Sequence, residues 1–253
     1  MVGEASQAEE TQASRRAFAT THWSVVLAAR EQETPQAAAA WEQLCRTYWY
    51  PLYAYVRRQG HRPPDAEDLL QAFFARFLEK NYLDDVDRSK GRFRSFLLAA
   101  LNHFLANEWD KARRQKRGGQ AQLLSLDSAE AERWYGEELA SDLTPEKLYE
   151  QRWACVLLEQ VMQQLEQDSE AAGKGEYFAA LKGFLVGEDR PQSYADLAAK
   201  FGVTAAALKM RVQRLRHRYQ RLLRAEIAQT VASPEEVEEE IRYLFNVLSD
   251  QRP

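Results

Sequence analysis

Seven side chains suited to nucleic-acid contact crowd one stretch: Thr204, Lys209, Arg211, Gln213, Arg214, Arg216 and Arg218. On the first turns of a helix, Lys, Arg and Gln can reach base edges in a major groove while neighbouring cations grip phosphates. A second set mixes cations with aromatic and amide groups: Arg92, Arg94, His103, Asn107, Trp109, Lys111, Arg113 and Arg114. That mixture suits unpaired nucleic acid, whose bases stack on rings while cations hold the backbone. Phe93, Phe96 and Phe104 in the same stretch serve a core equally well, and Trp109 fits either use. A third segment, Asp65 to Phe74, opens with Asp65, Glu67 and Asp68 in a first helical turn. The helix dipole favours acids there, and a partner protein offering arginines would favour them too.

No catalytic constellation competes with these sets. His22, His61, His103 and His217 are scattered, and no nucleophile elbow, phosphate loop or zincin helix occurs. Asp84, Asp85 and Asp87 read as a solvated charge run in a loop. Catalytic residues, metal ligands and cofactors are therefore not expected. Cys45 and Cys155 lie in helical, apolar patterns and read as buried free thiols, too few for a disulfide framework or a zinc site. The longest apolar run, Phe96 to Leu101, is far short of a membrane span, and the polar, acidic start lacks a signal peptide's pattern. A cytoplasmic protein without membrane insertion is expected.

The elements that must position these residues are helices. The chain has 253 residues, 45% hydrophobic and 28% charged, enough for one or two globular domains. Strand-like alternation is hard to find, so the fold class is all-α. Residues 1–19 read as a disordered lead. Helices are expected near Trp23–Arg30, from Pro35 to about Tyr48, from Pro51, and from Pro64 to about Lys80. Each proline is tolerated in a first turn, where its missing N–H has no partner to lose. The stretch Asp84–Gly91 breaks the pattern before a helix carrying Phe93, Leu97, Leu101 and Phe104 on one face. Residues 119–144 show no firm periodicity and read as an acidic linker.

Beyond Thr144-Pro145 a helix runs through Trp153, Leu157, Val161 and Leu165, and a shorter one holds Phe178, Leu181 and Phe184. Two helices then flank a tight turn at Gly202, a helix-turn-helix with Leu197, Phe201, Val203, Leu208 and Val212 as core and Ala198 at the crossing. Ser233, Pro234 and Glu236 announce a last, acidic helix through a capping box. Its apolar stripe could dock on the basic helix-turn-helix and compete with DNA, or simply complete a core.

The ordered set of motifs resembles the sigma factors of bacterial RNA polymerase, in particular the compact extracytoplasmic-function type. Asp65-Ala-Glu-Asp-Leu-Leu-Gln-Ala-Phe-Phe74 resembles the region-two motif that binds the clamp of core polymerase, which implies a contact role for Asp65, Glu67, Asp68, Leu69, Gln71 and Phe74. Gly91 through Arg117 is similar to the helix that captures and opens the minus-10 promoter element. His103 and Asn107 stand where many family members carry Asn and Asp. Ser193 to Arg218 is similar to the region-four helix-turn-helix that reads the minus-35 element. The resemblance implies a region two-like domain over 20–118, the linker 119–144, a region four-like domain over 145–230 and an added acidic helix over 231–253. It implies core RNA polymerase and promoter DNA as partners, with room for an anti-sigma factor. The competing expectation is a helix-turn-helix regulator acting without polymerase, its first half serving to sense or dimerise.

The net charge of −4 hides a segregated chain. Residues 88–117 carry a net +7 (nine Lys or Arg, with Glu108 and Asp110), and 200–224 a net +8 from eight cations. The remainder is strongly acidic.

Overall fold

The computed structural model describes residues 23–31, 34–80, 82–114, 128–138, 143–186 and 193–249. Among them are eleven α-helices and no strand. They are α1 (Trp23–Arg30), α2 (Pro35–Arg58), α3 (Pro63–Glu79), α4 (Phe93–Arg114), α5 (Ser128–Glu138), α6 (Pro145–Ala171), α7 (Gly175–Leu181), α8 (Gly183–Val186), α9 (Tyr194–Lys200), α10 (Ala205–Ala228) and α11 (Val237–Ser249). The described residues fall into two compact units, one up to Val156 together with those from Ile227 on, the other Leu157–Glu226. The expected disordered lead, residues 1–19, lies outside the described residues.

The first unit is organised around α2. Thr34 caps it, its hydroxyl accepting from the Ala37 amide at 3.0 Å, and Pro35 occupies the first turn. Here the structure corrects one expectation: Pro51 does not open a new helix but lies inside α2. An interior proline forfeits a backbone hydrogen bond and costs about 3 kcal/mol. Around it Tyr48, Leu52, Tyr53, Tyr55 and Val56 are all at most 1% exposed. Burial of each such side chain contributes about 1.5–3 kcal/mol, which outweighs the proline's penalty. Aromatic packing joins α2 to α3 and α4. Trp49 stacks on Phe74 at 6.1 Å, Phe73 meets Phe104 edge-on at 5.7 Å, and Tyr48 meets Phe93 at 5.6 Å.

The segment expected to be a plain linker also differs. Residues 128–138 form α5, whose Ala131 and Tyr135 are 4% exposed. Tyr135 packs with Ala54 and Leu148, and the Arg57 guanidinium lies 4.7 Å from its ring centre. Glu132 accepts from Arg57 Nε at 2.6 Å and from the Tyr53 hydroxyl at 2.5 Å. No apolar repeat betrays this helix because side chains about 75 residues upstream anchor it.

In the second unit, α6 ends where Gly173 takes φ +66°, a left-handed conformation that favours glycine. A true capping box starts α9: the Asp196 amide donates to the Ser193 hydroxyl, and the Ser193 amide donates to the Asp196 carboxylate, each at 3.2 Å. That geometry holds the Asp196 carboxyl below its ordinary range, chiefly through the Ser193 hydrogen bond. Gly202 makes the turn with φ +62°, and the Val203 amide donates to the Ala198 carbonyl at 3.0 Å. Thr204 caps α10, accepting from the Ala207 amide at 3.1 Å. Leu197, Ala198, Leu208 and Val212 are buried with Leu181 and Phe184, and Phe201 and Val203 pack against them.

The C-terminal segment rejoins the first unit. The capping box expected at Ser233 does not form: the Ser233 side chain makes no cap bond, and Pro234–Glu236 is a 3-10 turn. The Glu236 carboxylate instead accepts from the Ala232 amide at 3.4 Å. A single helical register cannot continue through that turn, so α11 starts only at Val237.

Candidate nucleic-acid interface

The head of α10 presents an open basic surface. Its cap and the helix-turn-helix core fix its direction, leaving Thr204, Lys209, Gln213 and Arg214 exposed. Lys209 Nζ lies 5.7 Å from the Tyr194 ring centre, a cation–π distance that leaves its ammonium at the surface. The other expected contacts are turned to structural work. Arg211 lies 4.2 Å over Tyr177, itself stacked on Phe201 at 4.2 Å. Arg216 donates to the Phe184 carbonyl at 2.9 Å, and Arg218 pairs with Asp168 at 2.9 Å. Tyr177 and Asp168 were invisible to periodicity, since each lies more than thirty residues from the arginine it meets.

On α4, the outer face carries His103, Asn107 and Trp109. His103 and Asn107 are exposed, and the Asn107 amide donates back to the His103 carbonyl at 2.8 Å. Trp109 is 64% exposed, so among the described residues it packs into no core. Phe93 and Phe104 are buried and Phe96 half-buried, as core side chains. The side chains of Lys111, Arg113 and Arg114 lie outside the described residues.

The start of α4 corrects the expectation for Arg94. That side chain is 1% exposed and cannot meet DNA from this position. Its Nε donates to Glu150 at 2.7 Å, its Nη2 lies 2.6 Å from Glu240, and the guanidinium sits 4.1 Å over Trp153. The Tyr149 hydroxyl donates to its carbonyl at 2.9 Å. Burial disfavours the Arg94 charge, but Glu150 and Glu240 outweigh it and raise its pKa above the ordinary value. Arg92 is half-buried, paired with the same Glu240 and 5.1 Å from the Tyr243 ring centre. Glu240 is itself 0% exposed. Within the first unit, the acidic helix α11 thus pairs with the start of α4.

The third set lies on α3. Asp65 pairs with Arg62 at 2.8 Å, and that hydrogen bond holds its carboxyl below the usual carboxylate range. Asp68 is exposed, and Glu67, Leu69 and Gln71 are half-buried along the helix. Phe74 departs from the expected contact set: it is 4% exposed between Trp49 and Phe73. Phenylalanines at 73, 74 and 77 line the inward side of α3, so adjacency in sequence to a contact motif did not place Phe74 on the surface.

Among the described residues, no three His, Cys, Asp or Glu side chains gather as a metal site, and no helix is long and apolar enough to cross a membrane. Cys45 is buried and Cys155 half-buried, and neither forms a disulfide. Burial pushes the Cys45 thiol up to about 12.

The described residues thus form a helical protein with a closed helix-turn-helix, an exposed polar and basic head on α10, and a second basic helix bearing an exposed tryptophan. The family is more specific. The chain belongs to the ECF sigma factors, whose family model matches residues 34–225, across both units. No curated protein and no solved structure matches it. Members of this family are transcription regulators, not enzymes; they bind core RNA polymerase and direct initiation at promoters.

Proposed function

We propose that this chain confers promoter choice on core RNA polymerase through two DNA contacts and one polymerase contact. Lys209, Gln213 and Arg214, on a helix headed by Thr204, read the minus-35 duplex from the major groove. His103, Asn107 and Trp109 receive the opened minus-10 strand, with Lys111, Arg113 and Arg114 holding its phosphates. The exposed side of α3, with Asp65, Glu67, Asp68, Leu69 and Gln71, meets the polymerase clamp. The first unit then corresponds to region two, extended by α5 and α11, and the second to region four. The protein works in the cytoplasm, without cofactor or metal of its own.

The observation that carries this reading is the head of α10, where exposed Lys209, Gln213 and Arg214 sit on a helix locked by its own core. A polymerase-independent regulator would need only that helix; a family match spanning both units favours the sigma reading. The test is transcription in vitro with core polymerase and a genomic promoter library, followed by mapping of start sites. Initiation from a shared two-element sequence supports the proposal. Operator binding by the chain alone, with no initiation and no complex with core polymerase, overturns it.

A further inference from the structure

The acidic C-terminal segment sits on the basic start of α4. Arg88 donates to the Val231 carbonyl at 2.8 Å and to the Ala228 carbonyl at 3.2 Å. Arg92 and Arg94 both pair with buried Glu240. Lys90 and Arg92 share an open cleft of about 570 Å³ with Glu236 and Glu239. Three of the four cations between residues 88 and 94 therefore bond oxygen atoms that the C-terminal segment supplies, and Lys90 lines the same cleft as Glu236 and Glu239.

The way α11 is held shows what kind of attachment this is. Of its apolar stripe only Val237 and Leu244 are buried, and Phe245 is 58% exposed. Glu239 is exposed and Glu236 half-buried, so they add negative field with little packing. This outer rim acts through charge, and a polyanion that offers phosphates to the same cations can compete with it. Arg94 keeps Glu150 at 2.7 Å and Trp153 at 4.1 Å, neither of which belongs to the C-terminal segment.

We propose that α11 and the turn before it are an intrachain competitor for nucleic acid, occupying Lys90 and Arg92 until the DNA backbone displaces them. This rests on the reading that α4 engages the minus-10 strand, and it adds the regulation of that surface. It also converts the acidic tail from a cap on a finished core into a gate on the melting helix.

The experiment compares the full chain with its Glu236→Gln/Glu239→Gln variant, both changes lying away from the buried Glu240. Thermal unfolding checks that the variant folds as the parent does. The probe is a single-stranded oligonucleotide titrated at low salt, with hydrogen exchange of residues 237–249 followed in parallel. The proposal expects the variant to bind at least about fivefold tighter, since two repelling charges are removed near the phosphates. It also expects exchange in 237–249 to accelerate when the oligonucleotide binds the parent. Equal affinities overturn it, as does an absence of binding by both proteins or unchanged protection of α11 in the bound state. Failure to pair with core polymerase in the transcription assay would instead remove the sigma reading, and the oligonucleotide experiment still judges the competitor.

Discussion

The two basic stretches, 88–117 and 200–224, carry nearly the same net charge, and the described cations that begin the first are held differently from those at the head of the helix in the second. At the start of α4, Arg88, Arg92 and Arg94 are taken up by carbonyls and carboxylates of the same chain. At the head of α10, Lys209, Gln213 and Arg214 stay exposed, while Arg211, Arg216 and Arg218 on the same helix each also hold a partner within the unit. Charge density in a sequence thus measures what a segment could bind. Availability depends on which oxygen atoms the fold brings to each guanidinium. The same residue type stays exposed at 214 and forms a buried hub at 94, because a buried charge requires pairing whereas an exposed one keeps its water.

The comparison can be broken most forcefully at Arg94. Arg94→Ala leaves Glu240 buried and Glu150 short of a partner, and should destabilise the first unit by about 3–5 kcal/mol. Chemical denaturation measures this; a loss within experimental error would mean that the hub is an ordinary surface cation. Next in size is the contrast within α10. Arg214→Ala should weaken binding to a minus-35 duplex by about 1–3 kcal/mol and leave the melting temperature unchanged. Arg218→Ala should do the reverse, lowering stability through the lost Asp168 pair while base preference persists. Equal effects of the two on DNA affinity would erase the distinction between reading and structural arginines.

Trp109→Ala sharpens the comparison on α4. Losing one stacking platform should cost about 1–3 kcal/mol in affinity for an opened minus-10 strand, measured by fluorescence titration, with no effect on duplex binding. The smallest expected effect concerns α5. The Arg57 and Tyr53 hydrogen bonds hold the Glu132 carboxyl below its ordinary value of 4.5. Because the folded value is the lower one, this contribution is present above pH 4.5 and lost as pH falls through the depressed value. Glu132→Gln should therefore loosen α5 at pH 7, by about 1 kcal/mol in hydrogen exchange, and differ little from the parent below that value. A difference that persists undiminished in acid would assign α5 docking to Tyr135 instead.

How far these features were legible follows the range of the interactions. The helix-turn-helix is written locally: Gly202, the Thr204 cap and the apolar spacing of Leu197, Leu208 and Val212 lie within sixteen residues, and the core closes on them. The continuity of α2 through Pro51 was not legible, since burial of its neighbours by other helices offsets a local rule. Nor was α5, whose acidic stretch becomes a helix on Tyr53 and Arg57. Phe74 and Arg94 were legible as motif members but not as buried side chains.

The sequence by itself determined an all-helical chain, most of its helices, both basic stretches and the turn and cap that set α10. These depend on dihedral preference and on spacings within a few turns. Only the tertiary structure decided that α11 lies on α4, that Glu240 holds two arginines, and that Arg94 is withdrawn while Trp109 and Arg214 are offered. Each of those outcomes depends on desolvation and pairing between groups separated by dozens to well over a hundred residues. No periodicity encodes such distances.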